Sequence, residues 1–471
     1  MLFSSIPFLF YFLPVVLIAY YLAPKPVKNG VLLLASLVFY GWGEPAFVFL
    51  MMATIVLGYA FGILIEKFKQ EKYKDKPWAF VCTLISVGIS LGFLGYFKYA
   101  NFFITNVNAA TGISLPLLKV VLPIGISFYT FQLVSYIIDV YWGKVAAQKN
   151  PIILATYITM FPQLIAGPIV RYSDVEKQLK ERNITFDKIS YGIRRFTLGL
   201  GKKILIANVL GEFCAAFKAT DEKSILFFWA YAIAVSMQIY FDFSGYSDMA
   251  IGLGSMLGFH FIENFNYPFI SKSATEFWRR WHMSLGTWFR DYVYIPLGGS
   301  RCSVPRNLLN IFIVWMLTGL WHGAEWTFVA WGLYYGILLM LEKILLLKWL
   351  ERIPVLGHVY IFVFGIISFV IFDAVSLAEA IEHVIAMFGG GGLPILTDLT
   401  VYYLRSYGVI FILAMIGATP LPKMLFDKID NSNIGNKIVS ILEPVVMILI
   451  VIVSTGYLVD GSFNPFLYFR F

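Results

Sequence analysis

The sequence predicts an all-α polytopic integral membrane protein, and three observations lead there. Hydrophobic residues make up 59% of the 471 and charged residues only 14%, whereas a soluble domain carries roughly 45–50% apolar and about 25% charged residues. The mean hydropathy of +0.75 points the same way. Apolar stretches of spanning or near-spanning length recur along the chain, near 6–23, 31–64, 79–97, 121–141, 151–170, 196–216, 224–241, 308–341, 355–375, 406–419 and 440–458. Each crossing needs about 20 mostly apolar residues, so the expectation is about eleven transmembrane helices, some broken or re-entrant, in a single membrane domain over 1–471.

The first stretch follows an N-terminus without a basic leader or a clear cleavage site, so it reads as a retained span rather than a signal peptide. The blocks 31–64 and 308–341 are long enough for two passes each. "VLPIGISFYTFQ" (121–132) and "FPQLIAGPIVRY" (161–172) are broken by Gly and Pro. Irregular backbone at membrane depth is tolerated only inside protein or beside a wet cavity, so these two segments predict a shaped interior. "GLGSMLG" (252–258) reads as a small-residue packing face rather than a phosphate loop.

The net charge of +8 is an excess of loop lysines and arginines, the pattern that sets membrane orientation. By that rule 66–77, with five lysines, 171–203 and 272–306 are cytoplasmic. No basic segment is interleaved with a groove-reading or stacking motif, which excludes a nucleic-acid partner. Cys82, Cys214 and Cys302 stand far apart and form no CxxC pair, which argues against a disulfide framework or a zinc site. No two of the five histidines have ligand spacing on one helix face, so the expected metal set is none. No nucleophile elbow, P-loop or dinucleotide fingerprint occurs in a convincing context.

Two basic regions are too apolar for plain loops. Residues 188–210 mix cations with apolar residues as an interfacial amphipathic helix does. "SATEFWRRWHMSLGTWFRDYVYIPLGG" (273–299) packs aromatics and Arg279, Arg280 and Arg290 around His282, beginning with a helix capped by Ser273 or Thr275. The arginines are candidate contacts for donor phosphates.

"LTGLWHGAEWTFVAWG" (317–332) places His322 in an otherwise membrane-buried run. An ionisable residue there is a functional candidate, usually facing the interior or a wet cavity. Gly323 beside it permits close approach of a ligand or backbone. If the helix continues, Glu325 shares the face of His322 and orients the imidazole. Trp321, with Trp326 and Trp331 at five-residue spacing, reads as chamber wall. In "QIYFDFSGYSDMAIGLG" (238–254), Asp242 and Asp248 are costly unless paired, and the arginine-rich loop that follows offers partners. They read as residues that shape a chamber by fixing helices.

The chain resembles the membrane-bound O-acyltransferases (MBOAT), specifically the bacterial branch that O-acetylates exopolysaccharides. The resemblance rests on "LPIGISFYTFQLVSYIIDVY" (122–141), "QLIAGPIVRY" (163–172) and "FDFSGYSDMAIGLG" (241–254). It continues through "FWRRWHMSLGTWFRDYVYIPLGG" (277–299), "LTGLWHG" (317–323) and "FNPFLYFRF" (463–471). The teichoic acid D-alanyl transferases are more distant and share the WHG element. The resemblance implies a helical fold around a central funnel or tunnel, with His322 and His282 as its two motif histidines.

It also implies a multi-pass protein of the bacterial cytoplasmic membrane. No cofactor would be bound permanently. Acetyl-CoA, or an acyl carrier protein thioester, would be the co-substrate, and the acceptor a polysaccharide or an extracytoplasmic partner acetyltransferase. His322 would be the general base on the accepting hydroxyl, and His282 would position the donor or shuttle a proton. Acyl transfer from a carrier protein to another envelope polymer, and polysaccharide export through a polar pore, are the alternatives.

Overall fold

The computed structural model describes residues 1–73 and 75–461, so the terminal "FNPFLYFRF" motif (463–471) lies outside the described residues. Those residues are helices and connecting loops, with no strand among them. Seven helices are long and apolar enough to cross a membrane, beginning with Phe47–Phe68 and ending with Asn433–Val459, and a shorter apolar helix covers Pro7–Leu22. Among the described residues the other apolar stretches form shorter, broken or less apolar helices, so fewer than the expected eleven have spanning length. The 31–64 block splits into Lys28–Gly41 and Phe47–Phe68, and the 308–341 block into Val304–His322 and Trp326–Leu341. Large hydrophobics such as Phe49, Leu84 and Ile448 stand exposed on the spanning helices, as side chains meant for lipid do.

The chain divides into two compact units. The first comprises Met1–Phe196 and Met249–Ile262. Phe3, Phe8, Phe12, Phe39 and Phe161 form its aromatic centre, with ring centroids about 5–6.5 Å apart. Its two broken motifs meet. The helix Pro151–Thr159 starts on an Asn150 cap with Pro151 in its first turn, then breaks at Met160. Gly125, at φ 76°, backs directly onto this break: a Cβ there would lie 2.8 Å from the Leu164 carbonyl oxygen. Side chains supply the partners that the broken backbone lacks. The Tyr157 hydroxyl donates to the Val170 carbonyl at 3.0 Å, and Gln163 Nε2 donates to the Tyr157 carbonyl at 2.5 Å. The "GLGSMLG" stretch is a packing face, since the backbone of Gly252 is so close to Gly192 that a Cβ would lie 2.6 Å from its carbonyl oxygen.

The second unit comprises Thr197–Asp248 and the chain from Glu263 onward. Its centre is a helical hairpin, Val304–His322 followed by Trp326–Leu341. Gly319 and Gly332 let the two backbones touch, and a Cβ on Gly332 would lie 2.5 Å from the Trp315 carbonyl oxygen. The long helix Ile225–Met256 contributes its first three-quarters to this unit. Asp242 and Asp248 on it pair with Lys203 and Lys202, both at 2.6 Å, and not with the arginines of the following loop. The pairing has a simple cause. Lys202 and Lys203 lie on the π-helical stretch Lys202–Asn208, and Gly245 lets that stretch approach the carboxylates: a Cβ on it would lie 3.1 Å from the Lys203 nitrogen. Lys203 and Asp242 are both almost fully buried, so the predicted amphipathic region is anchored by an ion pair.

Candidate active site

His282 sits between two short helices, Ala274–Arg280 and Met283–Phe289. Ser273 caps the first, its hydroxyl accepting from the Glu276 amide at 3.0 Å, while Thr275 is not the cap. Instead Thr275 donates through its hydroxyl and its amide to the Glu342 carboxylate, at 2.6 and 2.9 Å, and the Ala274 amide donates to the same group. A buried carboxylate on the helix Nterminus fixes where this segment starts, because the orphan amides and the helix dipole both favour negative charge there. Sequence reasoning did not single out Glu342. Its signal was a carboxylate in the apolar run that follows Trp326.

His282 adopts a left-handed backbone, φ 44° and ψ 53°, one of two non-glycine residues at positive φ among those described. Such a conformation costs of order 1–3 kcal/mol and persists only where its surroundings over-determine it. Here they do. The Met283 amide donates to the Asn264 carbonyl at 3.0 Å and the Asn266 amide to the Arg280 carbonyl at 2.9 Å. The imidazole meets Phe243 edge to face at 4.7 Å and lies 5.9 Å from Trp321. Burial pushes its pKa down from the ordinary 6.5 to about 3, so the ring is neutral at physiological pH.

His282 lines a cavity of about 590 Å³ together with Trp278, Arg279, Arg290, Trp315 and Thr318, a size that suits a small-molecule site. The three arginines differ. Arg280 is tied to Glu276 and to the Asn266 carbonyl and is not on the cavity wall. Arg290 lines it but is held by Asp291 through two contacts of 2.7 and 3.2 Å. Arg279 lines it, is exposed, and has no carboxylate partner among the described residues.

His322 ends its helix, buried at 5% exposure. Trp321, Trp331 and Phe372 surround its ring at 5.0, 4.9 and 5.3 Å, each edge to face. Trp321 touches both imidazoles, and Trp331 also touches Trp278 of the cavity wall at 5.4 Å. The cavity wall thus includes His282, while His322 is set behind a screen of tryptophans.

Two expectations around His322 are corrected. The helix does not continue: Gly323 is extended, and Glu325 is the exposed cap residue of the next helix, so it does not share a face with His322. Gly323 packs against Phe328, whose ring would lie 2.2 Å from a Cβ there. Trp326 is about half exposed, so only Trp321 and Trp331 of the three evenly spaced tryptophans wall the histidine. His260 and His358 are exposed and His383 packs at 5.3–5.9 Å on Phe228, Phe217 and Tyr231.

Comparison with known proteins places the chain in a family. The profile of the membrane-bound O-acyltransferase family matches residues 146–377, which contain both histidines. The probable alginate O-acetylase of Pseudomonas putida is 40% identical over the full length of both chains. That of Pseudomonas aeruginosa is 44% identical over 83% of this chain and 75% of its own. The peptidoglycan O-acetyltransferase of Helicobacter pylori is 33% identical over 84% of this chain and 81% of its own.

Proposed function

The chain belongs to the membrane-bound O-acyltransferase family, and from that premise we propose the reaction it carries out. It is a multi-pass membrane acyltransferase. It takes an acetyl group from a cytoplasmic thioester, acetyl-CoA or a carrier protein, and delivers it across the bacterial cytoplasmic membrane. The acceptor is a hydroxyl of a cell-surface polysaccharide, reached directly or through a partner acetyltransferase. The names of its relatives, for alginate and for peptidoglycan acetylation, support a polysaccharide as the final acceptor.

His322 is the general base. It takes the proton of the accepting hydroxyl as that oxygen bonds to the thioester carbonyl carbon. The carbon–sulfur bond then breaks, and the thiolate recovers the proton. A positioned base of this kind contributes about 10²–10⁴ in rate. His282 positions the donor in the cavity, with Arg279 at its phosphates. The observation that carries this reading is the shared Trp321: one indole touches both motif histidines, and one of them lines a ligand-sized cavity beside Arg279, an arginine with no carboxylate partner among the described residues.

Purified protein in liposomes, given labelled acetyl-CoA and an acceptor polysaccharide or oligosaccharide, tests it. His322→Ala is expected to reduce label transfer by at least about a hundredfold with folding intact. Unchanged transfer would overturn the assignment, and movement of the polymer itself would favour an exporter.

A further inference from the structure

The π-helical stretch Glu342–Leu346 continues the helix Trp326–Leu341, whose Leu339 lines the same cavity as His282. Its first two side chains reach two different parts of that cavity's wall. Glu342 is buried and accepts from the Thr275 hydroxyl at 2.6 Å and the Thr275 amide at 2.9 Å. Thr275 lines the cavity one helical turn before Arg279. Lys343 is exposed and donates to Oδ1 of buried Asn307. The amide nitrogen of Asn307 gives its two hydrogens to the Tyr294 hydroxyl and the Gly299 carbonyl, both at 2.7 Å, and Tyr294 lines the cavity as well. A carbonyl can only accept, so the atom facing Gly299 is the amide nitrogen and the one facing Lys343 is the oxygen. Neither Glu342 nor Lys343 lines the cavity, yet each holds a residue that does. Both grips are charge-assisted hydrogen bonds, the stronger kind.

We propose that Glu342 and Lys343 are positioning residues for the acyl donor, a two-sided clamp that keeps the Thr275 and Tyr294 walls of the cavity at the spacing a thioester donor binds. The inference rests on the donor reading of that cavity given above. Two segments distant in sequence, one on each side of His282, are held to one short piece of helix by neighbouring residues of opposite charge. The clamp acts through Thr275 and Asn307 on donor affinity, and the chemical step stays with His322.

The test joins kinetics to hydrogen exchange. Lys343→Met removes one grip at an exposed position, where the fold does not depend on the side chain. With that charge-assisted hydrogen bond lost, KM for acetyl-CoA is expected to rise about tenfold with kcat within about threefold. Lys343→Arg keeps a cation that can donate to Asn307 Oδ1 and is expected to restore most of the KM. Unchanged KM in Lys343→Met, a fall in kcat at unchanged KM, or an arginine no better than methionine would refute the role. Independently, amide exchange followed by mass spectrometry should quicken within 290–300 in Lys343→Met. In Glu342→Gln, which sets an amide N–H against the Thr275 donors, it should quicken within 274–280. Wild-type exchange in these segments overturns the clamp. If wild type turns over no acetyl-CoA, the donor reading fails by itself, and the exchange still decides whether the two residues hold the two walls.

Discussion

At the scale of single residues, Gly323 and Glu325 show how one helix end changes the meaning of a motif. Both follow His322 in the sequence, yet Gly323 is in contact with Phe328 and Glu325 stands exposed at the start of the next helix. The two predictions therefore diverge. Gly323→Ala drives a methyl group into the Phe328 ring beside the histidine, an overpacking that costs about 1–3 kcal/mol. Since Phe328 packs on Phe372, which touches His322, acetyl transfer should fall at least several-fold along with thermal stability. Glu325→Ala should leave transfer in the same liposome assay within about twofold, as surface substitutions usually do. A large loss in Glu325→Ala would reinstate a role for the carboxylate beside the imidazole.

At the scale of elements, the second unit is held by polar contacts made at breaks in regular helix. The Lys202–Asn208 π-helical stretch carries the lysines for Asp242 and Asp248, and the Glu342–Leu346 stretch carries the carboxylate that caps Ala274–Arg280. The Lys203–Asp242 pair is buried on both sides, so removing one partner should be far worse than removing both. Lys203→Met is expected to destabilise the detergent-solubilised protein by roughly 3–5 kcal/mol, and Lys203→Met with Asp242→Leu to recover most of that loss. Thermal unfolding of the two variants checks this. Equal losses in the single and double variants would mean that the pair does not anchor the element.

At the scale of the whole molecule, composition and charge make a prediction about orientation. The five-lysine loop 66–77 and the arginine-rich segment that contains His282 are both expected on the cytoplasmic side, where thioesters are available. A cysteine placed at exposed Glu71, in a background with Cys82, Cys214 and Cys302 replaced by serine or alanine, should react with an impermeant maleimide in inside-out vesicles and not in right-side-out ones. The reverse pattern would invert the orientation and separate the donor site from its donor.

Much of this protein was determined by its sequence alone. Apolar runs of about 20 residues fix an all-helical membrane protein, because a helix needs that length to cross the bilayer and pairs its backbone groups within the segment. The order of motifs around His282 and His322 fixes the family, because chemistry holds residue types at fixed places along the chain. The tertiary structure decided what pairing and packing decide. It gave the aspartates lysine partners from an earlier helix, removed Glu325 from the face of His322, and brought Asn264 onto His282 from eighteen positions upstream. None of these has a signature in spacing. A hydrogen bond or an ion pair depends on where two backbones approach, and that is settled by small residues, helix breaks and turns acting together across long separations in the chain.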